Sequence, residues 1–190
     1  MGKGDLIMTR EEALSLLKEN LENKNLFKHC LAVEAVMREM AEHFGEDQEK
    51  WGLAGLLHDI DYDRTKDDPE RHSLEGAKLL EEKGLPEDIV YAVKVHNHIH
   101  GLPRKSTLDK ALYCTDPVTG LIVAGALIKK EKSLSAIDVP FLVKRFGEKA
   151  FARGANRETI MACSELGLSL EEFLTIGLKG MQKISAEMGL

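Results

Sequence analysis

Apolar side chains recur at three- and four-residue spacing along most of this chain, the signature of amphipathic helices. Thr9-Arg-Glu-Glu12 reads as a capping box opening a helix, with Ala13, Leu14, Leu16 and Leu17 as its stripe. Asn25 is the expected start of a longer helix on which Leu26, Cys30, Val33, Val36, Met37, Met40 and Phe44 face inward, and Gly45 is its stop. Asp47 is the expected cap of the next, which runs to His58-Asp59. Residues 60–70 are polar and turn-rich. Helices are then expected at 71–83, closed by Gly84, and at 86–97, after which His98-Ile-His-Gly-Leu-Pro103 breaks the pattern. Further helices are expected at 106–115, 117–130, 140–152, 157–166 and 170–188, with Gly167 a stop and Ser169-Leu-Glu-Glu172 a second capping box. No stretch alternates with period two long enough to predict a strand. The expectation is an all-α fold: a loose tail over 1–8, one helical domain over 9–132, and a C-terminal helical extension over 133–190 packed on that domain.

Composition agrees. At 190 residues and 43% hydrophobic the chain can bury one sizeable core, and with 5% aromatics its bulk is helix-forming Leu, Ala, Glu and Lys. A net charge of −6, with both signs interspersed, gives no basic footprint for duplex nucleic acid, whereas small phosphorylated ligands stay open because a bound metal supplies local positive charge. The three cysteines, Cys30, Cys114 and Cys163, sit in apolar helical patterns and read as buried thiols of a reducing compartment. No signal peptide and no 18-residue apolar run stand out, so the expectation is a cytoplasmic protein without a membrane partner. Oligomeric state is open, a homodimer included.

The chemistry gathers around His58-Asp59, which closes the apolar run Trp51-Gly-Leu-Ala-Gly-Leu-Leu57 and offers an imidazole nitrogen and a carboxylate oxygen to one point. Each companion alone has a plain explanation. His29, on the edge of a buried helix face, could be a hydrogen-bonded core histidine; His72 a solvent-facing first-turn residue; Asp116, before Pro117, an N-cap. Asp59 fits a structural role poorly, because the C-terminal end of a helix repels an anion. His96 falls on the buried side set by Ile89, Ala92 and Val93. Taken together, six ligand types close successive helices. His29, His58, Asp59 and Asp116 suffice for one ion; His72 and His96, with Asp59 bridging, could hold a second. Imidazoles and carboxylates without thiolates favour Fe, Mn, Zn, Co or Ni, as one or two divalent ions.

This order resembles the HD superfamily of metal-dependent phosphohydrolases over about residues 25–130, with His29, His58-Asp59 and Asp116 matching the His…His-Asp…Asp pattern. His58-Asp-Ile-Asp61 is similar to the family's His-Asp-Ile-Gly variant, with Asp61 where Gly is frequent. His72-Ser-Leu-Glu-Gly-Ala resembles the His-x-x-x-Gly element of the binuclear branch, and His96 its next ligand. The chain departs from the cyclic-dinucleotide phosphodiesterases of that branch, lacking their Gly-Tyr-Pro tripeptide and carrying Asn97 where they have a second histidine. The resemblance implies a single HD-domain helical bundle that cleaves a phosphate ester of a nucleotide or other small molecule with a metal-activated water. Asp59 and Asp61 are then the expected catalytic carboxylates. Arg64 is a catalytic cation, and Lys66, His98 and Arg153 are substrate contacts. A mononuclear site would leave His72 free to meet the phosphate as a cation. Two rivals use the same residues: an HD-fold di-iron oxygenase, and a nucleotide- or metal-sensing module without turnover.

Overall fold

The computed structural model describes residues 8–190, so all but the last position of the expected tail lies outside the described residues. Among the described residues every regular element is helical. Thr9 caps α1 (Arg10–Asn20) through the expected box, its hydroxyl accepting from the Glu12 amide and the Glu12 carboxylate accepting from the Thr9 amide. Asn23, two residues before the expected start, caps α2 (Lys24–Phe44) by accepting from the Asn25 and Leu26 amides, and Gly45 ends it in the left-handed region. Asp47 caps α3 (Gln48–Leu57). The turn-rich stretch holds the short α4 (Tyr62–Thr65). α5 (Leu74–Glu82) starts later than the pattern suggests, and α6 (Glu87–Val95) leads to a 3-10 turn over His98–His100.

Two expected helices are one. α7 (Thr107–Leu127) continues through Pro117, so Asp116 stands inside a helix and is not an N-cap. Proline in a helix interior costs about 3 kcal/mol. Burial of Cys114, Thr115, Val118, Thr119, Leu121 and Ile122 on both sides of it outweighs that cost. In the other direction, the expected helix at 140–152 stops early as α8 (Val139–Phe146). The carbonyls released in the following turns are taken up by Arg157, whose guanidinium donates to Phe146, Phe151, Ala152 and Ala155. α9 (Arg157–Met161) runs into a 3-10 segment, and the last expected helix divides into α10 (Leu170–Lys183) and α11 (Ser185–Met188). Ser169 caps α10 through the expected box.

α2 is the centre of the fold, with α3, α7 and α10 packed around it. Val33, Val36, Met37 and Met40 on its inner side are fully enclosed. Two helices come unusually close to its backbone. A Cβ at Gly55 of α3 would lie 2.9 Å from the Val33 carbonyl oxygen, and one at Gly180 of α10 would lie 2.8 Å from that of Ala35. Every residue of α3 from Trp51 to Leu57 is buried. Its C-terminal end is therefore held rigidly against α2, and His58 follows directly. Among the described residues no helix is long and apolar enough to cross a membrane.

These contacts predict a contrast among glycines. Gly180→Ala should destabilise by about 1–3 kcal/mol, because backbone atoms must part to admit the methyl group. Gly120→Ala, where an added Cβ meets open space, should stabilise by up to about 1 kcal/mol through helix propensity. Urea unfolding of both variants checks the opposite signs.

Candidate metal centre

Three elements converge where α3 ends. α2 brings His29, the turn after α3 brings His58 and Asp59, and the middle of α7 brings Asp116. His29 Nε2 lies 3.0 Å from Asp116 Oδ1 and 3.2 Å from His58 Nε2. Asp59 Oδ2 completes the group at 3.3 Å from His58 Nε2 and 3.6 Å from His29 Nε2. The other oxygen of Asp59 faces a second set: Oδ1 is 3.3 Å from His72 Nε2 and 3.4 Å from His96 Nε2. One carboxylate thus divides its two oxygens between two nests of ligand-type atoms, and all six expected residues meet.

The far side of each imidazole is tied down. His58 Nδ1 donates to the Gly55 carbonyl at 2.7 Å and His96 Nδ1 to that of Val93 at 2.6 Å. His72 Nδ1 donates to Asp61 Oδ1 at 2.9 Å. Thr119 gives its hydroxyl proton to the Asp116 carbonyl, leaving its oxygen to accept from His29 Nδ1 at 3.2 Å. In the neutral rings the proton is then on Nδ1 and the Nε2 lone pair points inward, the tautomer that a metal ligand requires. Four lone pairs and two carboxylates face one another there without a shared donor. His96 Nε2 is buried with no hydrogen-bond partner among the described residues, an expensive arrangement for a polar atom unless a cation lies beside it. The donor set suits a divalent transition ion, so the residues fit the group.

The electrostatics reflect the same crowding. Burial alone would push the His58 imidazole down, but Asp59 and Asp116 hold it well above the usual histidine value. Burial likewise opposes ionisation of Asp59 and Asp116. Their histidine neighbours win, and both carboxyls stay well below the ordinary range. Burial opposes protonation of His72, but the hydrogen bonds it donates to the Asp59 and Asp61 carboxylates outweigh that and push it up to about 9. Cys30, adjacent to His29 in sequence, has its thiol pushed up by burial, and all three cysteines are buried and free.

The remaining expected site residues differ in burial and in partners. Asp61, expected as a catalytic carboxylate, is fully buried with both oxygens engaged: Oδ1 with His72, and Oδ2 accepting from the Gly76 amide at 2.7 Å. A Cβ at Gly76 would sit 3.2 Å from that carboxylate, which accounts for glycine four residues after His72. Asp63 accepts from the Glu22 and Asn23 amides and pins the α1–α2 link. Arg64 and Lys66 are exposed, as is Arg153. No hydrogen bond or ion pair joins Arg64, Lys66 or Arg153 to the cluster among the described residues. His98 is also exposed and lines a polar cavity of about 550 Å³ with Arg104 and Tyr113.

Other residues matter more than the sequence suggested. Thr119 stands one turn beyond Asp116 on α7, a spacing that could have revealed it. Asn97 and His100 both donate to the His72 carbonyl, at 3.3 and 2.8 Å. Ser73 holds a positive φ of 69° while its hydroxyl donates to the Lys94 carbonyl. The loop bearing His72 is therefore clamped to the end of α6 in a conformation that costs energy for a non-glycine residue.

With this geometry in hand, comparison with known proteins is direct. The family model described as the HD domain matches residues 26–139. The chain belongs to the HD-domain family. All six converging residues of this HD domain lie inside the match. A Methanocaldococcus jannaschii protein named only as uncharacterized protein MJ0778 is 38% identical over 120 residues, covering 59% of this chain and 68% of that protein. The symmetrical bis(5'-nucleosyl)-tetraphosphatase of Bacillus subtilis is 30% identical over 130 residues, covering 57% of this chain and 68% of the enzyme. Ribonuclease Y of Oleidesulfovibrio alaskensis is 31% identical over 98 residues, covering 52% of this chain and 18% of the nuclease. The chain thus spans under a fifth of that nuclease and about two thirds of the other two.

The raised His72 value has a consequence for stability. A histidine at about 9 in the folded chain, against 6.5 ordinarily, stabilises fully below pH 6.5 and loses that contribution as pH rises through about 9. In chelator the melting temperature should therefore fall across that window. A His72→Gln variant should show a flatter profile. Thermal melts from pH 5.5 to 9.5 decide it.

Proposed function

We propose that this HD domain is a metal-dependent phosphohydrolase that cleaves phosphate esters of nucleotides or similar small molecules. The observation that carries the reading is the division of the Asp59 carboxylate between two histidine sets. His29, His58, Asp59 and Asp116 would hold one divalent ion; Asp59, His72 and His96 would hold a second. Such ions supply Lewis-acid polarisation of a phosphoryl oxygen and water acidic enough to ionise near neutral pH. The protein residues do the positioning. The Gly55 and Val93 carbonyls, Thr119 and Asp61 fix the imidazole planes and tautomers, so Asp61 is a positioning residue. Arg64 and Lys66, exposed in the stretch after Asp61, are the proposed donors to substrate charge, and Arg153, also exposed, is a further one. The likeness to a nucleoside tetraphosphatase supports a nucleotide substrate.

The test joins composition to activity. Protein purified without added metal should retain Fe, Mn, Zn, Co or Ni, and should hydrolyse members of a phosphatase and phosphodiesterase panel when supplied with Mn or Fe. Asp59→Ala should lose metal and activity together, because both sets lose a carboxylate oxygen. His96→Ala should lower metal content from about two per chain towards one while the fold persists. An Asp59→Ala protein with full metal content would overturn the assignment. So would a wild-type protein that consumes oxygen and leaves every phosphate ester intact.

A further inference from the structure

The six converging side chains are unequally open to solvent. His58 and His96 are essentially sealed, at 0% and 2% side-chain exposure, and Asp59 and His72 reach only 8% and 14%. His29 and Asp116 are 25% and 34% exposed. Among the described residues the His29–Asp116 edge is therefore the most open side of the cluster.

A cavity of about 490 Å³ opens beside that edge, with His29 and Thr119 in its wall. This is the size of a small-molecule pocket. On α7, Asp116, Gly120, Val123 and Leu127 follow at spacings of four, three and four, so the helix face that carries Asp116 continues as the cavity floor. The other walls are aliphatic, with Ala32 and Met188 opposite. Two polar residues stand at its margin. Asn25 is exposed, its side-chain amide free of partners among the described residues, and Lys28 donates to the Met188 carbonyl at 2.9 Å, which fixes that wall.

We propose that this cavity receives the nucleoside of a nucleoside phosphate whose phosphate lies at the His29–Asp116 edge. The assignment rests on the phosphohydrolase reading above and deepens it. Aliphatic walls suit the two faces of a heterocyclic base, and a free carboxamide offers a donor and an acceptor to a base edge. Continuity through His29 and Thr119 gives the direction in which the ligand extends. Gly120 is then a specificity position: a Cβ there meets open space, and a large side chain would fill the pocket without disturbing the helix.

The test is equilibrium binding of a non-hydrolysable phosphonate analogue of AMP (AMP below) and of inorganic phosphate to the Mn-loaded protein by titration calorimetry. Wild type should bind AMP at least tenfold more tightly than phosphate. Gly120→Phe should remove that advantage while phosphate affinity stays within twofold, and Asn25→Ala should weaken AMP alone by a few-fold. Circular dichroism checks that Gly120→Phe folds, and Asn25→Ala, at an exposed site, gives an independent reading. Equal wild-type affinity for the two ligands, or AMP binding by Gly120→Phe unchanged from wild type, would overturn the pocket and leave the phosphohydrolase reading standing. Wild-type protein that binds neither would overturn both.

Discussion

A buried carboxylate with no cation of its own is the constraint around which this chain is organised. Asp59 is 5% exposed, and among the described residues no lysine or arginine forms an ion pair with it. Its neighbours are four imidazoles whose inner nitrogens, in the neutral form, offer lone pairs rather than protons. Such a group is costly to bury unless the charge is compensated. Protons provide one solution, which is why His58 and His72 are held up and Asp59 and Asp116 down. A divalent ion provides a better one, because it meets all the inward lone pairs at once.

That arrangement depends on backbone as much as on side chains. His58 and His96 each hydrogen-bond a carbonyl three residues earlier, so a ring orientation is set by the helix end that carries it. The helix end is set in turn by packing. α3 approaches α2 so closely that only glycine fits at position 55, and Gly55 is also the residue whose carbonyl holds His58. One position therefore governs both the spacing of two helices and the aim of an imidazole. Gly76 plays a comparable part for Asp61, whose carboxylate it admits and binds through its amide.

What the sequence made legible follows from this. Capping boxes at Thr9 and Ser169 and the stop at Gly45 are local chemistry, and they stand where the pattern placed them. The six ligand-type residues were legible only as a set, because one shared site explains their recurrence through successive helices more simply than six separate roles do. The continuity of α7 was not, since Pro117 speaks locally for a break and only burial on both sides overrides it. The early end of α8 was equally hidden: the carbonyls freed there are satisfied by Arg157, eleven residues beyond Phe146. The Arg157 guanidinium is spent on the chain's own backbone. Asp61 read as catalytic because it sits beside the pair. Only the fold shows both its oxygens occupied. Asn97 and Ser73 act through hydrogen bonds whose partners are set by tertiary packing, and no spacing rule announces their importance.

The two kinds of work proposed for this domain fall on different parts of the chain. Every residue of the candidate metal centre lies between 29 and 116, inside the family match at 26–139. The adjoining cavity takes its floor from α7 and part of its wall from Met188, outside that match. α10 and α11 both pack against α2, so the C-terminal segment is fastened to the same helix that carries His29. The reacting centre is therefore fixed by short hydrogen bonds and close backbone contacts that tolerate little change. The cavity wall is built of aliphatic side chains, where exchanges that preserve volume cost little. A fold divided in this way can alter the group it admits without disturbing the atoms that would act on the phosphate, because the floor of the pocket and the last candidate ligand share one helix and therefore stay in register.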